Sequence, residues 1–190
     1  MARCFTFVAI LISLFIGTIA SAQNSTWTVD KNQTQINFQI RRVPVSYVRG
    51  SFSGITGSVV WNEKEPSKSS VEVTIPTASV STNNFARDSD LRSANFFDVD
   101  KFPTMTFKST EVTGTPGRLQ VIGNLTLNGV TKSVTLAVDG PTPPTRMGKL
   151  IIGFAVTGVV KRSDFNFAPK YPVAILGDEI KFTIDVEADQ

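Results

Sequence analysis

From Trp27 onward the chain alternates apolar and polar residues, the period-two signature of strands that bury one face. Ile36, Phe38 and Ile40 share a face in TQINFQIRR. Val71, Val73 and Ile75 do so in VEVTIP, which Pro76 closes because it brings no amide hydrogen to a central ladder. Met105 and Phe107 pair in MTFKS, and Leu119, Val121, Gly123, Leu125 and Leu127 alternate in LQVIGNLTL. Val134, Leu136 and Val138 follow, then Leu150, Ile152, Phe154, Val156, Gly158 and Val160. The last run is the cleanest: Ile180, Phe182, Ile184 and Val186 face in, while Lys181, Thr183, Asp185 and Glu187 face out. With SVVW and the glycine-interrupted RGSFSGITG before it, the pattern predicts eight or nine strands in one all-β domain.

Turn chemistry separates these runs. Asn128-Gly129 marks a tight hairpin, because both residues accept positive φ. GTPGR at 114–118 and GPTPPTRMG at 140–148 are expected to be loops. An antiparallel sheet with one apolar face closes into a barrel or packs as a two-sheet sandwich. Gly50, Gly54 and Gly57 suit strand bends at barrel corners, which favours a barrel of about eight strands. One stretch breaks the alternation. FARDSDLRSANFF lacks Pro and Gly, Asn83 and Asn84 are available as caps, and Ala86, Leu91 and Ala94 share part of one helical face. A short helix in a crossover is predicted there, and Pro103 turns the chain back to extended structure.

Composition narrows the chemistry. The first 22 residues carry a positive start, an apolar run from Phe5 to Gly17 and the small residues Ala20, Ser21 and Ala22. That is the layout of a cleaved secretory leader, and the apolar run is shorter than a spanning helix of ~20 residues. Residues 23–190 are then one exported domain, periplasmic or secreted. Without Arg3 the charge is 18 Lys and Arg against 16 Asp and Glu, scattered rather than clustered, so nucleic acid is not an expected partner. There is no His in the chain and the one Cys, Cys4, falls in the leader. Nucleophile systems built on His or Cys, and zinc sites of the usual kind, have nothing to use. No cofactor and no metal is expected.

The remaining candidates for acid–base work are Asp88, Asp90, Asp98 and Asp100. Arg87, Arg92 and Lys101 stand among them, which favours ionised, paired carboxylates capping a crossover. DSD and DVD lack the glycine and terminal glutamate of a calcium loop. An enzyme using these carboxylates on a bound amphiphile is the alternative to a pure binding protein. Inward residues of a small barrel either fill it or line a hole for one ligand, and periodicity does not separate the two.

VRGSFSGITGSV at 48–59, VEVTIPTASVST at 71–82, RDSDLRSANFFDVDKFPTMTFKST at 87–110, GNLTLNGVTKSVTL at 123–136 and RSDFNF at 162–167 resemble, in this order, the YceI-like family of secreted bacterial proteins. The resemblance runs from about Trp27 to Glu187. It implies an extended, lipocalin-like antiparallel barrel that holds an isoprenoid or other long-chain amphiphile, and no enzymatic activity. Two positions depart from the family pattern: Arg41-Arg42 stand where many relatives have His, and Asn166 where Gly is usual. On this reading the inward positions Phe38, Ile40, Phe52, Val73, Ile75, Phe107, Val121, Leu125, Leu136, Phe154, Val156 and Phe182 would line the bore, with Phe96 and Phe97 closing one end. A transient membrane-surface contact and a homodimer are both compatible with the sequence.

Overall fold

The computed structural model describes residues 24–43 and 45–190; the expected leader at 1–22 lies outside the described residues. Among the described residues, eleven strands form one antiparallel sheet: β1 (Ser25–Val29), β2 (Gln35–Arg42), β3 (Ser46–Phe52), β4 (Thr56–Trp61), β5 (Ser70–Pro76), β6 (Thr104–Thr115), β7 (Arg118–Leu127), β8 (Val130–Asp139), β9 (Thr145–Met147), β10 (Lys149–Lys161) and β11 (Leu176–Asp189). The count exceeds the expected eight or nine because two long strands are each broken by a bend. β2 pairs with β11 through Asp185↔Gln35, and β1 continues along the same edge through Ala188↔Val29. β3 and β4 likewise run end to end, opposite β2 and β1. With each bent pair counted once, and with the three-residue β9 set aside because it pairs only to the outside of β10, they leave eight wall positions.

Closure is made by the longest ladder, in which Ile151–Lys161 of β10 pair with Asp189–Glu179 of β11. The β8–β10 seam is much shorter, with only Ala137, Val138 and Asp139 in register. Below it the 3₁₀ turn Arg162–Phe165 packs against both strands. The bend between β3 and β4 falls where the glycines predict it: Gly54 has φ +70° and Gly57 φ +152°. A side chain at Gly57 would meet the Glu72 carbonyl of β5 at 2.1 Å, so β4 approaches β5 only because that residue has none.

The connections sort to two ends. One end carries the β2–β3 turn, the long β5–β6 crossover, the Asn128-Gly129 hairpin and the 166–175 loop. The crossover contains helix α1 (Phe85–Arg92), capped by the Asn84 side chain accepting from the Arg87 amide at 3.0 Å. The far end carries the 62–69, 116–117 and 140–148 connections. The expected loops there are shorter than composition suggests. β6 and β7 run to within two residues of each other, and the 140–148 stretch contributes β9, paired to β10 through Leu150↔Arg146.

Candidate functional site

An apolar cavity of about 630 Å³ runs along the inside of the barrel. All fourteen positions picked from alternation and from the crossover border it, from Phe154 at the far end, through Val73, Ile75, Val121, Leu125, Leu136, Val156 and Phe107 in the walls, to Phe38, Ile40, Phe52, Phe96, Phe97 and Phe182. The alternation also marked Ile36, Leu119 and Ile184, which line the same space. Tyr171, Ile175 and Phe167 line it too, but they sit in a loop without periodicity, so no sequence signal distinguishes them. The charged residues on the lining, Arg42, Arg87 and Asp90, all lie at the crossover end.

Three of the lining rings lie against the wall, which leaves the centre of the bore open. A methyl placed on Gly158 would fall 2.4 Å from the ring of Phe182, its register partner on β11. Gly50 stands in the same relation to Phe38 on β2, at 2.6 Å. A methyl on Gly123 would likewise fall 2.4 Å from the Phe107 ring of the neighbouring strand. In each case a strand glycine leaves room for the tip of a cross-strand aromatic ring where a Cβ would stand. Three phenylalanines thereby cover wall instead of filling the centre. The alternation pattern listed Gly123 and Gly158 as inward positions without revealing this use.

The crossover end is built from aromatic contacts. Phe97 is buried, edge-on to Phe52 of β3 at 5.4 Å and 4.7 Å from Phe167. Phe96 stacks on Tyr171 at 5.3 Å, and its carbonyl accepts from the Asn128 side-chain amide at 3.0 Å. Crossover, hairpin and 166–175 loop are thus joined around the bore. Arg162, which sequence reasoning left unassigned, fixes that loop. It is buried and donates to the backbone carbonyls of Gly177, Phe167, Ala168, Tyr171 and Leu176. Spread over five acceptors, the guanidinium ties the irregular 166–175 loop to the start of β11. Asn166 caps the turn at φ +50°, a left-handed position that asparagine tolerates.

The carboxylates do not converge. Asp88 is buried and accepts from the Thr82 amide at 2.8 Å and the Thr82 hydroxyl at 2.5 Å. Burial pushes its pKa up, but the two bonds from Thr82 and the Arg92 charge outweigh this and hold it below the usual carboxylate value. It is therefore an ionised structural anchor at neutral pH and not a raised-pKa acid. The expected ion pairs around it give way to another arrangement. Arg87 donates to the Thr82 hydroxyl and carbonyl, and Arg92 donates to the carbonyls of Ala78 and Val80. Backbone acceptors are near because the 77–84 segment has no strand partner beyond the Ser51↔Ser81 bridge. Asp98 occupies a turn at φ +46°.

Compared with known proteins, residues 27–188 match the model of the YceI-like domain. The chain belongs to the YceI-like family. Protein YceI of Salmonella agona (strain SL483) is 39% identical, with 98% of this chain and 95% of that protein covered. The YceI protein of Campylobacter jejuni superposes with a TM-score of 0.72 at 33% identity, over 79% of this chain and 89% of that one. A polyisoprenoid-binding domain from Saccharophagus degradans shares the fold, with a TM-score of 0.63 at 14% identity over 86% and 97% of the two chains. Within the YceI-like family, then, this chain is an eight-position barrel with a hollow apolar interior suited to an apolar ligand.

Proposed function

We propose that the protein holds the tail of an isoprenoid lipid, a polyprenyl or quinone-type chain, in the barrel and carries or stores it outside the cytoplasm. The observation that carries this reading is the distribution of polarity. The cavity is apolar along its length and its charged lining is confined to the crossover end, so an amphiphile is held tail inward with its polar group beside Arg42, Arg87 and Asp90. Each methylene moved from water into such a space contributes roughly 0.8 kcal/mol, so a long tail binds well with few polar contacts. A volume of about 630 Å³ lies within the ~300–1,000 Å³ span of small-molecule sites. The polyisoprenoid-binding domain with the same fold supports the choice of lipid class. On this reading residues 1–22 are removed on export and 23–190 act in the periplasm or the medium.

The test is to purify the exported protein from a membrane-containing host and analyse its organic extract by mass spectrometry. Stoichiometric polyprenyl or quinone species are expected. A lipid-free protein that also fails to take up added polyprenyl compounds would refute the reading.

A further inference from the structure

Among the described residues, eight large hydrophobic side chains are exposed, and six of them sit on the loops and strand ends of the crossover end: Val43, Val45, Tyr47, Phe85, Val173 and Ile175. Phe85 is 88% exposed, Val45 83% and Val173 62%. Several of them sit on anchored backbone. Phe85 opens α1 directly after its cap, and the Val43 amide donates to the Ile175 carbonyl at 3.1 Å, tying two of the loops into one lip. The residues beside them line the mouth of the cavity: Arg42 next to Val43, Asn84 and Ala86 on either side of Phe85, and Ile175 itself. The exposed apolar residues therefore border the opening from both sides.

We infer that this rim docks the protein onto a lipid bilayer surface, so that the cavity opens onto the membrane. The inference rests on the apolar-ligand reading above but concerns a separate surface. Three features favour a bilayer over a folded partner. The apolar groups come from three elements around an opening, the β2–β3 turn, the start of α1 and the 166–175 loop, an arrangement that inserts shallowly between headgroups. They are interspersed with arginines whose stems are apolar and whose heads suit phosphate: Arg42 lines the mouth with Arg87, whose Nε and Nη2 already donate to Thr82, against the single lining carboxylate of Asp90, and Arg49 lies over the Tyr47 ring at 5.6 Å. Last, the patch is continuous with an apolar bore, so a water-insoluble tail passes between bilayer and barrel without crossing solvent.

Flotation of the exported protein with vesicles of phosphatidylcholine and a minority of phosphatidylglycerol tests this, alongside uptake of a fluorescent polyene hydrocarbon delivered from ethanol. Combined substitution of Val45→Ser, Phe85→Ser and Val173→Ser, all at exposed sites, is expected to weaken vesicle association at least tenfold, since each such side chain contributes on the order of a tenfold change when it leaves water. Probe uptake should be retained. Met147→Ser, at the far end and 75% exposed, should change neither. Wild-type protein that takes up the probe but never floats overturns the docking proposal and leaves the cavity reading standing; undiminished flotation of the triple variant overturns it equally. A dimer in sedimentation that the triple variant abolishes, without flotation of the wild type, assigns the rim to a second copy and also overturns it. Failure of probe uptake strikes at the cavity reading, while flotation still decides the docking.

Discussion

Gly158→Ala separates a hollow barrel from a filled one more sharply than any deletion. The added methyl would lie 2.4 Å from Phe182 Cζ, 2.9 Å from Cε2 and 3.0 Å from Cε1. Ordinary contact begins near 3.4 Å, so the ring tip has to move by about 1 Å. Where it moves decides the energetics. Overpacking a tight core costs about 1–3 kcal/mol because the displaced group meets further atoms. Phe182 instead borders the cavity, so the ring can swing into open space. Replacing a strand glycine by alanine also recovers about 0.5–1 kcal/mol of backbone entropy. The expected change in unfolding free energy is thus a loss of about 1 kcal/mol or less.

Ligand affinity should suffer more than stability. A ring moved about 1 Å into the bore excludes roughly one or two methylenes of a tail, each worth about 0.8 kcal/mol, or about fourfold to fifteenfold in Kd. Urea unfolding followed by circular dichroism gives the first quantity and titration with a polyene probe the second. Phe182→Leu in the same chain should recover affinity by removing the displaced ring. A stability loss of 3 kcal/mol or more with unchanged affinity would refute the reasoning, because it would mean the ring is packed on both sides.

Two other perturbations examine the scaffold of the crossover end. Arg162→Met removes the donor to five backbone carbonyls and should cost about 3 kcal/mol or more, given ~1–3 kcal/mol for each buried group left unpaired; urea unfolding together with faster amide exchange across 166–176 checks it, and a loss under about 1 kcal/mol would contradict it. Asp88→Asn bears on pH. Since the folded pKa of Asp88 is depressed, its ionised form contributes stability that is fully present above the unfolded value of about 3.9 and is lost as pH falls through the folded value. The advantage of wild type over Asp88→Asn in thermal melts should therefore be constant through neutral and mildly acidic pH and shrink below about pH 4; an advantage that grows on acidification would contradict the assignment.

The alternation of Ile36, Phe38 and Ile40, or of Ile180, Phe182 and Ile184, identifies the wall and its inner face because strand geometry forces period two on any one-sided sheet. That logic reaches most of the wall and stops at its ends and at irregularities: Val112 lines the bore beyond the register shift between Ser109 and Glu111, where strict alternation from Met105 and Phe107 fails. Tyr171, Phe167 and Ile175 sit on irregular backbone, where position depends on Arg162 gathering carbonyls five to fifteen residues further along the chain, a contact with no periodic pattern. The arginines of the crossover illustrate a different limit. Arg87 and Arg92 stand beside carboxylates in sequence, yet they bond to the carbonyls of Thr82, Ala78 and Val80, which tertiary structure leaves without strand partners. Proximity along the chain suggested ion pairs; backbone satisfaction prevailed, as unpaired carbonyls cost more than exposed charges.

A hollow interior has an energetic consequence for the rest of the fold. Atoms that line open space lose dispersion partners on one side, so an apolar bore stabilises less than a packed core of the same composition. Residues 24–190 contain no cysteine to offset this with a covalent link. The compensation lies in closure and at the ends. β10 and β11 share an eleven-residue ladder, and the Phe52–Phe97–Phe167 and Phe96–Tyr171 contacts tie the crossover to the 166–175 loop. The Gly50–Phe38, Gly123–Phe107 and Gly158–Phe182 pairs bury aromatic surface against backbone without closing the centre. Rigidity is thereby concentrated in the wall and the scaffold around the mouth, while the lumen is left free for a guest. That division lets one short helix, a hairpin and a loop held by a single arginine frame the opening while their outermost side chains remain exposed.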